Sequence, residues 1–337
     1  MLAVAGAGKT TYLVNQLNED ERFLIVTYTI NNVANIRRKI IRRFGYFPAN
    51  ITLLSYYRFL YHECFLPFSK LELCPTGICW QMPADRTRYL GKDKILFYET
   101  NDRILYHNRI AKYCLEFHLQ EIKERLEKYF DHFYIDEVQD LAGHDFDFIH
   151  AIFPLQIDAL LVGDYFQHTY DTSADGNLNS GLYKVLKSYL RKWNHVTIDS
   201  RTLSKSYRCT RQVCEFVTRN IGVDIDSHRD DDSRIFVIDS QEAADAILAD
   251  SNIMKLVYQK SYNYSFKAMN WGASKGLDDF EDVCVILNKT VHKHYKTNTL
   301  HLLAASSRNK LYVACTRAHR HLYILSEEYA ANYCISN

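Results

Sequence analysis

Apolar residues recur along the chain in short runs that are separated by longer stretches with a helical pattern. Eight of these runs, each rich in Ile, Val, Leu or Tyr, predict buried parallel strands. They cover residues 23–29, 51–56, 133–138, 159–163, 196–199, 234–238, 283–287 and 321–325. Helical patterns lie between many of them, as in residues 32–44 and 103–129. This alternation of strand and helix is typical of doubly wound α/β proteins.

Two stretches interrupt the alternation. Residues from about 62 to 102 include Gly77 and Gly91, and we interpret them as the main part of an insertion that spans about 62–125. The acidic residues 230–232 are predicted to form a solvated turn before a strand. The pattern as a whole predicts two domains, residues 1–200 and residues 201–337, each with a parallel sheet.

Composition is that of an ordinary globular protein, with 47% hydrophobic and 24% charged residues among 337. The net charge of +1 identifies no partner, because a nucleic-acid groove needs only a local basic stripe. No apolar run approaches the roughly 20 residues that span a membrane. Residues 1–5 lead straight into a glycine-rich loop, so no signal peptide is expected. We therefore expect a cytoplasmic protein without a membrane partner.

The nine cysteines are odd in number and mostly scattered, which is typical of reduced thiols. Cys64, Cys74 and Cys79 lie near His62 and are candidate zinc ligands. Their spacing is irregular, however, and favours a thiol-bearing insertion over a zinc site.

The first chemical motif is the stretch Ala-Val-Ala-Gly-Ala-Gly-Lys-Thr at residues 3–10. It fits a P-loop, in which small residues let backbone N–H groups point at a phosphate. Lys9 would place a cation on the β- and γ-phosphate oxygens, and Thr10 would coordinate Mg²⁺. A chance Gly-Lys-Thr in a turn is the alternative. The residues predicted to bind the nucleotide here are Ala5, Gly6, Ala7, Gly8, Lys9, Thr10 and Thr11.

A second motif ends the apolar strand at residues 133–140, Phe-Tyr-Ile-Asp-Glu-Val-Gln-Asp. A strand that ends in paired carboxylates is the Walker B arrangement. Asp136 is predicted to hold the Mg²⁺ shell, and Glu137 to polarise the attacking water as general base. A third strand runs into Gly163 and Asp164, and the following Gln167 is predicted to reach a γ-phosphate or to orient the water.

In this order the motifs resemble those of the UvrD/Rep/PcrA-like helicases of superfamily one. Residues 27–34 and 52–56 resemble the segments of that family that contact single-stranded DNA. Residues 203–208, 274–278 and 311–318 resemble its motifs IV, V and VI. The resemblance runs from residue 3 to residue 318 and implies two RecA-like P-loop lobes with parallel sheets, reduced accessory insertions and ATP between the lobes.

The resemblance also implies roles for individual residues. Tyr207 would stack on adenine, and Arg208 and Arg317 would reach the γ-phosphate from the second lobe, as arginine fingers do. Further contacts to the nucleotide would come from Lys275, Gly276 and Asp278, with Asp278 near the ribose. Contacts to the nucleic acid would come from Thr27, Tyr28, Ser55 and Tyr170.

The chain departs from that family after Gln167, where a stacking aromatic and an arginine are usual. Tyr170 fits the pattern, but Thr172 and Ser173 occupy the next two positions. Stacking is worth about 1–3 kcal/mol per base, so the loss of one platform predicts a weaker grip on the strand. The insertions are also too short for a large accessory domain.

We expect an ATP-dependent, Mg²⁺-requiring DNA translocase or helicase that moves on single-stranded DNA or RNA with a partner protein. One candidate context is the helicase subunit of Gabija-type antiphage systems, which work with a nuclease. The alternative is a nucleotide-binding switch or sensor that controls a partner without moving along a strand. A small-molecule kinase is disfavoured, because such enzymes have no second-lobe Tyr-Arg and Thr-Arg-Ala pair.

Overall fold

A computed structural model describes residues 1–73, 75–83, 87, 89–91, 94–169, 178–179 and 181–335. Its strands are β1 (Phe23–Thr27), β2 (Ile51–Ser55), β3 (Gly77–Cys79), β4 (Ile104–Tyr106), β5 (His132–Asp136), β6 (Asp158–Val162), β7 (Lys205–Ser206), β8 (Asp226–Ser227), β9 (Ile235–Ile238), β10 (Ile253–Val257), β11 (Ala268–Asn270), β12 (Asp282–Leu287) and β13 (Leu322–Ser326). Its α-helices are α1 (Lys9–Asn15), α2 (Ile30–Phe44), α3 (Tyr56–Phe59), α4 (Leu66–Leu73), α5 (Ile95–Tyr98), α6 (His107–Phe117), α7 (Leu119–Tyr129), α8 (Gly143–Ile152), α9 (Leu186–Lys192), α10 (Arg211–Phe216), α11 (Gln241–Ala249), α12 (Lys289–Lys296) and α13 (Ala305–Cys315).

The first lobe, as we call the part of the chain before residue 201, is built on a parallel sheet of strand order β2-β1-β5-β6. Every residue of β1 and β5 is buried, because helices cover both faces of these central strands. Beyond β6, Leu2 pairs in parallel with Gly163. Thr27 lies beside both Ser55 and Asp136 in the register, so the carboxyl ends of three strands meet at one edge.

The predicted insertion follows β2. Helix α3 continues through a π-helical segment, Leu60–Phe65, into α4. The short strands β3 and β4 then pair in parallel, and α6 starts directly after β4. Buried aromatic residues of this region, including Phe65, Phe97 and Tyr113, join the same core as the sheet. The insertion is therefore packed onto the first lobe and shares its core.

The second lobe, from residue 201 onwards, is built on a parallel sheet of strand order β11-β10-β12-β13-β9. Its central strand β12 is buried along its whole length. The predicted α/β class with parallel sheets, resembling RecA-like P-loop domains, is thereby confirmed. Among the residues that the structure describes, no helix is both long and apolar enough to cross a membrane.

The strand prediction was wrong at several points. The short strands β3, β4, β7, β8 and β11 were not predicted, and two further differences lie in longer segments. Residues 196–199 form no strand, although the Leu2 N–H donates to the Asp199 carbonyl at 2.7 Å. Strand β10 was not predicted, because Lys255 interrupts its apolar run. The Lys255 side chain is nevertheless 3% exposed, and its ammonium donates to the Asp250 carbonyl just before the strand. A long aliphatic stem thus allows a lysine to lie in a buried strand.

Candidate active site

The glycine-rich loop turns sharply between Leu2 and α1. Gly6 and Gly8 have φ values of +69° and +80°, in the left-handed region that favours glycine. At Gly6 a Cβ would also lie 2.6 Å from the Cβ of Arg208 and the Oγ of Ser206. The second lobe therefore touches the loop at a position where only glycine fits. Lys9 begins α1 and is 8% exposed.

Lys9 and Thr10 face the carboxylates at the end of β5. The Thr10 hydroxyl donates to Asp136 Oδ2 at 2.9 Å, and Lys9 Nζ lies 3.9 Å from Glu137 Oε1. Glu137 has φ +59°, which directs the chain out of the strand immediately after Asp136. The P-loop and Walker B segments, predicted from separate motifs, thus meet at one edge of the sheet.

The two carboxylates differ in their tendency to hold a proton. Burial, reinforced by the charge of Glu137, raises the pKa of Asp136 to about 7. Burial acts on Glu137 in the same direction, but the positive charges of Lys9, Lys275 and Arg317 outweigh it and lower the pKa of Glu137. Glu137 is therefore held as a carboxylate, as a general base requires.

These two residues also fit a metal. A hydroxyl and a carboxylate oxygen are hard donors of the kind that Mg²⁺ prefers. The part of the chain that the structure describes holds no cluster of three or more His, Cys, Asp or Glu side chains arranged for a metal. Thr10 and Asp136 would therefore share Mg²⁺ with nucleotide phosphates. Of the candidate zinc ligands, Cys64 is buried, Cys79 is half-buried and Cys74 lies outside the described residues.

A network of buried polar groups connects these carboxylates to the end of β6. Gln139 donates through its amide to Glu137 and accepts from the Asp164 N–H at 3.0 Å. Asp164 accepts from the Tyr312 hydroxyl at 3.0 Å, and burial raises the pKa of Asp164 to about 6. The same Tyr312 hydroxyl accepts from the Ala5 N–H at 2.8 Å. Gln167 lies in the adjacent turn and is 4% exposed.

Sequence reasoning assigned no role to Gln139 or Tyr312, although both lie inside quoted motifs. Tyr312 is fully buried and lies 148 positions from its partner Asp164. Nearby, Asn309 Nδ2 donates to the carbonyl of His168 at 3.0 Å. Their position inside the motifs was the available signal, because the partners lie in distant segments: another strand end for Gln139 and the first lobe for Tyr312.

Arg317 follows α13 and is 1% exposed. Its Nε donates to the Val313 carbonyl at 3.1 Å and its Nη1 to the Leu277 carbonyl at 2.9 Å. Its Nη2 is buried without a hydrogen-bond partner among the described atoms. Burial, followed by the charge of Arg208, lowers the pKa of Arg317 to about 10, so the group remains charged at neutral pH. A buried donor without a partner is costly unless a ligand satisfies it.

The other charged residues predicted from the second lobe lie in ion pairs. Arg208 pairs with Asp278, which His319 also contacts at 3.1 Å. Lys275 pairs with Asp140 of the first lobe. Asp278, predicted to lie near a ribose, thus lies against the predicted finger Arg208. Gly276, next to Lys275, has φ +81°.

Tyr207 is 63% exposed and stacks on His228 with ring centroids 4.1 Å apart. Its backbone N–H donates to the Gly6 carbonyl at 2.9 Å. Its ring carbons lie 3.8 Å from where a Cβ on Gly8 would stand. One face of this ring is covered by His228, and the ring lies beside the start of α1.

The predicted nucleic-acid residues follow β1 and β2. Thr27 is 1% exposed, and its hydroxyl has no hydrogen-bond partner in the described structure. Tyr28 is half-buried and lies 6.1 Å from the ring of Tyr56. Ser55, at the end of β2, is half-buried. Tyr170 lies outside the described residues, as do Thr172 and Ser173.

Comparisons with known proteins agree with this architecture. The structure of arterivirus nonstructural protein 10, a helicase in complex with DNA, aligns with a TM-score of 0.51 and 13% identity. That alignment covers 96% of this chain and 59% of the other. The PRRSV helicase aligns with a TM-score of 0.46 and 13% identity, over 98% of this chain and 53% of the other. The chain therefore spans little more than half the length of these helicases.

No curated protein matches the chain in sequence. The family model described as the viral superfamily 1 RNA helicase core domain, however, matches residues 114–326. The matched region starts in α6 and contains the Walker B strand and the second lobe as far as the end of β13. The predicted superfamily is confirmed, whereas the UvrD-like subfamily within it stays a prediction. The chain belongs to the viral superfamily 1 RNA helicase core domain family.

Proposed function

We propose that this chain hydrolyses ATP between its two lobes and uses the hydrolysis to move along single-stranded nucleic acid. The observation that carries the proposal is that second-lobe residues contact the phosphate loop and the Walker B segment: a Cβ on Gly6 would lie 2.6 Å from the Cβ of Arg208, and Lys275 pairs with Asp140. Lys9 and Glu137 lie 3.9 Å apart in the first lobe. The charge of Arg317, from the second lobe, acts on the same Glu137 carboxylate.

Each group has a distinct task in this proposal. Lys9 and the N–H groups around Gly8 bind the phosphates, while Thr10 and Asp136 hold Mg²⁺. Mg²⁺, when bound, neutralises negative charge on the phosphate oxygens. Glu137, kept ionised by its cationic neighbours, accepts a proton from the attacking water. Tyr207 offers a ring face to the base.

Arg317 supports a link between hydrolysis and movement. Its unpartnered Nη2 is a buried donor that a γ-phosphate would satisfy and a diphosphate would not. The attraction between the lobes therefore depends on which nucleotide is present. A change in that attraction alters the cleft, and alternation between two cleft states is how such motors advance on a strand.

The ligand of this motor is proposed to be single-stranded DNA or RNA. The family description names RNA helicases, and one structural relative is titled as a complex with DNA. A UvrD-like motor that works with a nuclease in antiphage defence remains a hypothesis from the sequence alone.

The test is an ATPase measurement with and without single-stranded oligonucleotides of DNA and of RNA. We expect Mg²⁺-dependent hydrolysis that at least one oligonucleotide stimulates several-fold. Hydrolysis that neither oligonucleotide affects, with no measurable binding of either, would favour the nucleotide switch instead. Absence of hydrolysis under every condition would contradict the motor, and absence of ATP binding as well would contradict both functions.

A further inference from the structure

Four aromatic side chains form a continuous series from the end of β1 into the insertion. We call Tyr28, Tyr57, Trp80 and His107 the aromatic ladder. Ring centroids lie 6.0 Å apart for Tyr28 and Tyr57, and 4.8 Å apart for Tyr57 and Trp80. Trp80 and His107 are stacked, with centroids 5.6 Å apart and planes inclined by 28°. Each ring therefore contacts the next, although the residues come from four separate segments.

Trp80 is the most exposed residue of the ladder, with 61% of its surface accessible. The other two tryptophans, Trp193 and Trp271, are 4% and 0% exposed. An exposed indole leaves a large apolar surface in water, although burial of such a side chain stabilises a fold by about 1.5–3 kcal/mol. The fold holds this indole against two rings without burying it. A surface of this kind is available to a ligand.

The backbone around Trp80 fixes its position. Strands β3 and β4 pair Cys79 with Tyr106, so residues 80 and 107 both follow directly from the paired strands. The Cys79 carbonyl also lies 3.1 Å from His107 Nδ1. The ring of Tyr57 contacts both Trp80 and His107, with centroids 4.8 and 6.1 Å away. Trp80 is therefore braced, and a ligand that stacks on it meets a preorganised surface.

The ladder lies on the same edge of the sheet as the candidate active site. Tyr28 follows β1, and Tyr57 follows β2 by two residues. Thr27 is paired in register with Asp136 on one side and with Ser55 on the other. Since neighbouring strands are about 4.8 Å apart, the series of rings runs outwards from the nucleotide site across β1 and β2. Ligands of open α/β sheets bind at this carboxyl edge.

The chemistry of the ladder favours unpaired bases as its ligand. Bases stack on aromatic side chains whatever their sequence, because every base has a π-face. The paired bases of a duplex are already stacked and offer no free face. The exposed ring therefore fits a single strand.

We propose that Trp80, braced by Tyr57 and His107, is a stacking platform for an unpaired base of the bound strand. The proposal rests on the proposed function, since it assigns part of the path of the strand that the motor follows. It places that path over the insertion, at residues outside the motifs recognised in the sequence.

Tryptophan fluorescence gives a direct test, because Trp80 is the exposed tryptophan. Titration of the whole protein with an oligothymidylate or oligouridylate of about 15 nucleotides should quench its emission. Trp80→Phe should lose most of the quenching but keep most of the affinity. Trp80→Ala should bind about tenfold more weakly by anisotropy of a labelled oligonucleotide, within the range for one lost stacking contact. Its ATPase rate without oligonucleotide should stay unchanged.

Tyr129→Ala is the matched control. Tyr129 is 46% exposed and ends α7, just before the amino end of β5 and thus at the opposite edge of the same sheet. This variant should bind as the wild type does. If Trp80→Ala binds within twofold of the wild type, or if Trp80→Phe is quenched as strongly, the platform is refuted while the motor stands. If the wild type binds neither oligonucleotide, the proposed function fails together with the platform.

Discussion

Lys9 is a nearly buried cation. It lies opposite the carboxylate of Glu137, and the charge of Lys9 helps to keep that carboxylate ionised. The pair with Glu137 is loose, at 3.9 Å, and neither group is fully satisfied by the other. Phosphate oxygens would give Lys9 closer and stronger partners than this carboxylate does. In the proposed function, Lys9 therefore couples nucleotide binding to the ionisation of the proposed general base, Glu137.

Lys9→Ala should reduce ATP turnover by at least about 10²-fold, because loss of one stabilising donor at a reacting group costs that much. Steady-state hydrolysis with Mg²⁺ measures the effect. Lys128→Ala is the control, since Lys128 lies in α7 near the opposite edge of the sheet and should be silent. Near-normal turnover by Lys9→Ala would mean that residues 3–10 are not the phosphate loop.

Glu137→Gln should still bind ATP and hydrolyse it about 10²–10⁴-fold more slowly, because an amide keeps the shape of the side chain and loses the base. Binding of a fluorescent ATP analogue and single-turnover hydrolysis separate the two effects. Loss of binding together with turnover would show that Glu137 supports the site structurally, and its assignment as base would be wrong.

Residue identity within motifs was sufficient to predict that Lys9, Thr10, Asp136 and Glu137 belong together. The nearby sequence largely determines the local geometry that positions these residues. For Lys9 and Thr10 this geometry is a turn before a helix, and for Asp136 and Glu137 it is the end of a strand. No role was predicted for Gln139 or Tyr312. Each is hydrogen-bonded to Asp164, which lies 25 residues from Gln139 and 148 residues from Tyr312 in the sequence. Such contacts depend on tertiary structure and leave no periodic signal.

At the scale of elements, strands with nearly unbroken apolar runs were predicted, whereas β10, whose run is interrupted by a lysine, was not. β1, β5 and β12 are buried along their whole length and read as continuous apolar runs or nearly so. β10 contains the buried Lys255 and was missed. The insertion at about 62–125 stays a prediction, and the paired strands β3 and β4 within those residues are too short for periodicity to reveal.

The P-loop fits closely against the second lobe at Gly6. Gly6→Ala should abolish turnover, because the new Cβ would collide with Arg208 and Ser206 at 2.6 Å. Gly45→Ala is the matched control, since Gly45 also has a positive φ, +83°, but no atom lies within 4 Å of its Cβ position. Both variants should lose about 1–2 kcal/mol of unfolding free energy from backbone strain. Thermal unfolding measures the cost of backbone strain in both variants, and the ATPase rate measures the effect of the collision in Gly6→Ala. Equal turnover in the two variants would contradict a close contact between the P-loop and the second lobe.

At the scale of the whole molecule, the lobes are joined by polar contacts around the candidate active site. Tyr312 contacts Asp164, Asn309 contacts the His168 carbonyl, and Lys275 pairs with Asp140. The order of motifs in the sequence predicted that two lobes would face each other. It did not predict these pairs, because the relative placement of two sheets follows from packing between surfaces far apart in the chain.

The last prediction concerns the arginines that the second lobe contributes. Arg208→Ala or Arg317→Ala should leave ADP affinity nearly unchanged, because ADP has no γ-phosphate for a guanidinium to reach. Either should reduce turnover on the order of the 10³–10⁵-fold associated with arginine fingers. Arg→Lys should not restore it, since an ammonium lacks the planar fork. Arg320→Ala is the control, because Arg320 pairs with Asp282 and is 54% exposed. Thermal unfolding must accompany the Arg317 variants, since that side chain is buried. A folded Arg317→Ala protein with normal turnover would exclude hydrolysis between the lobes, because the buried Nη2 would then serve no phosphate.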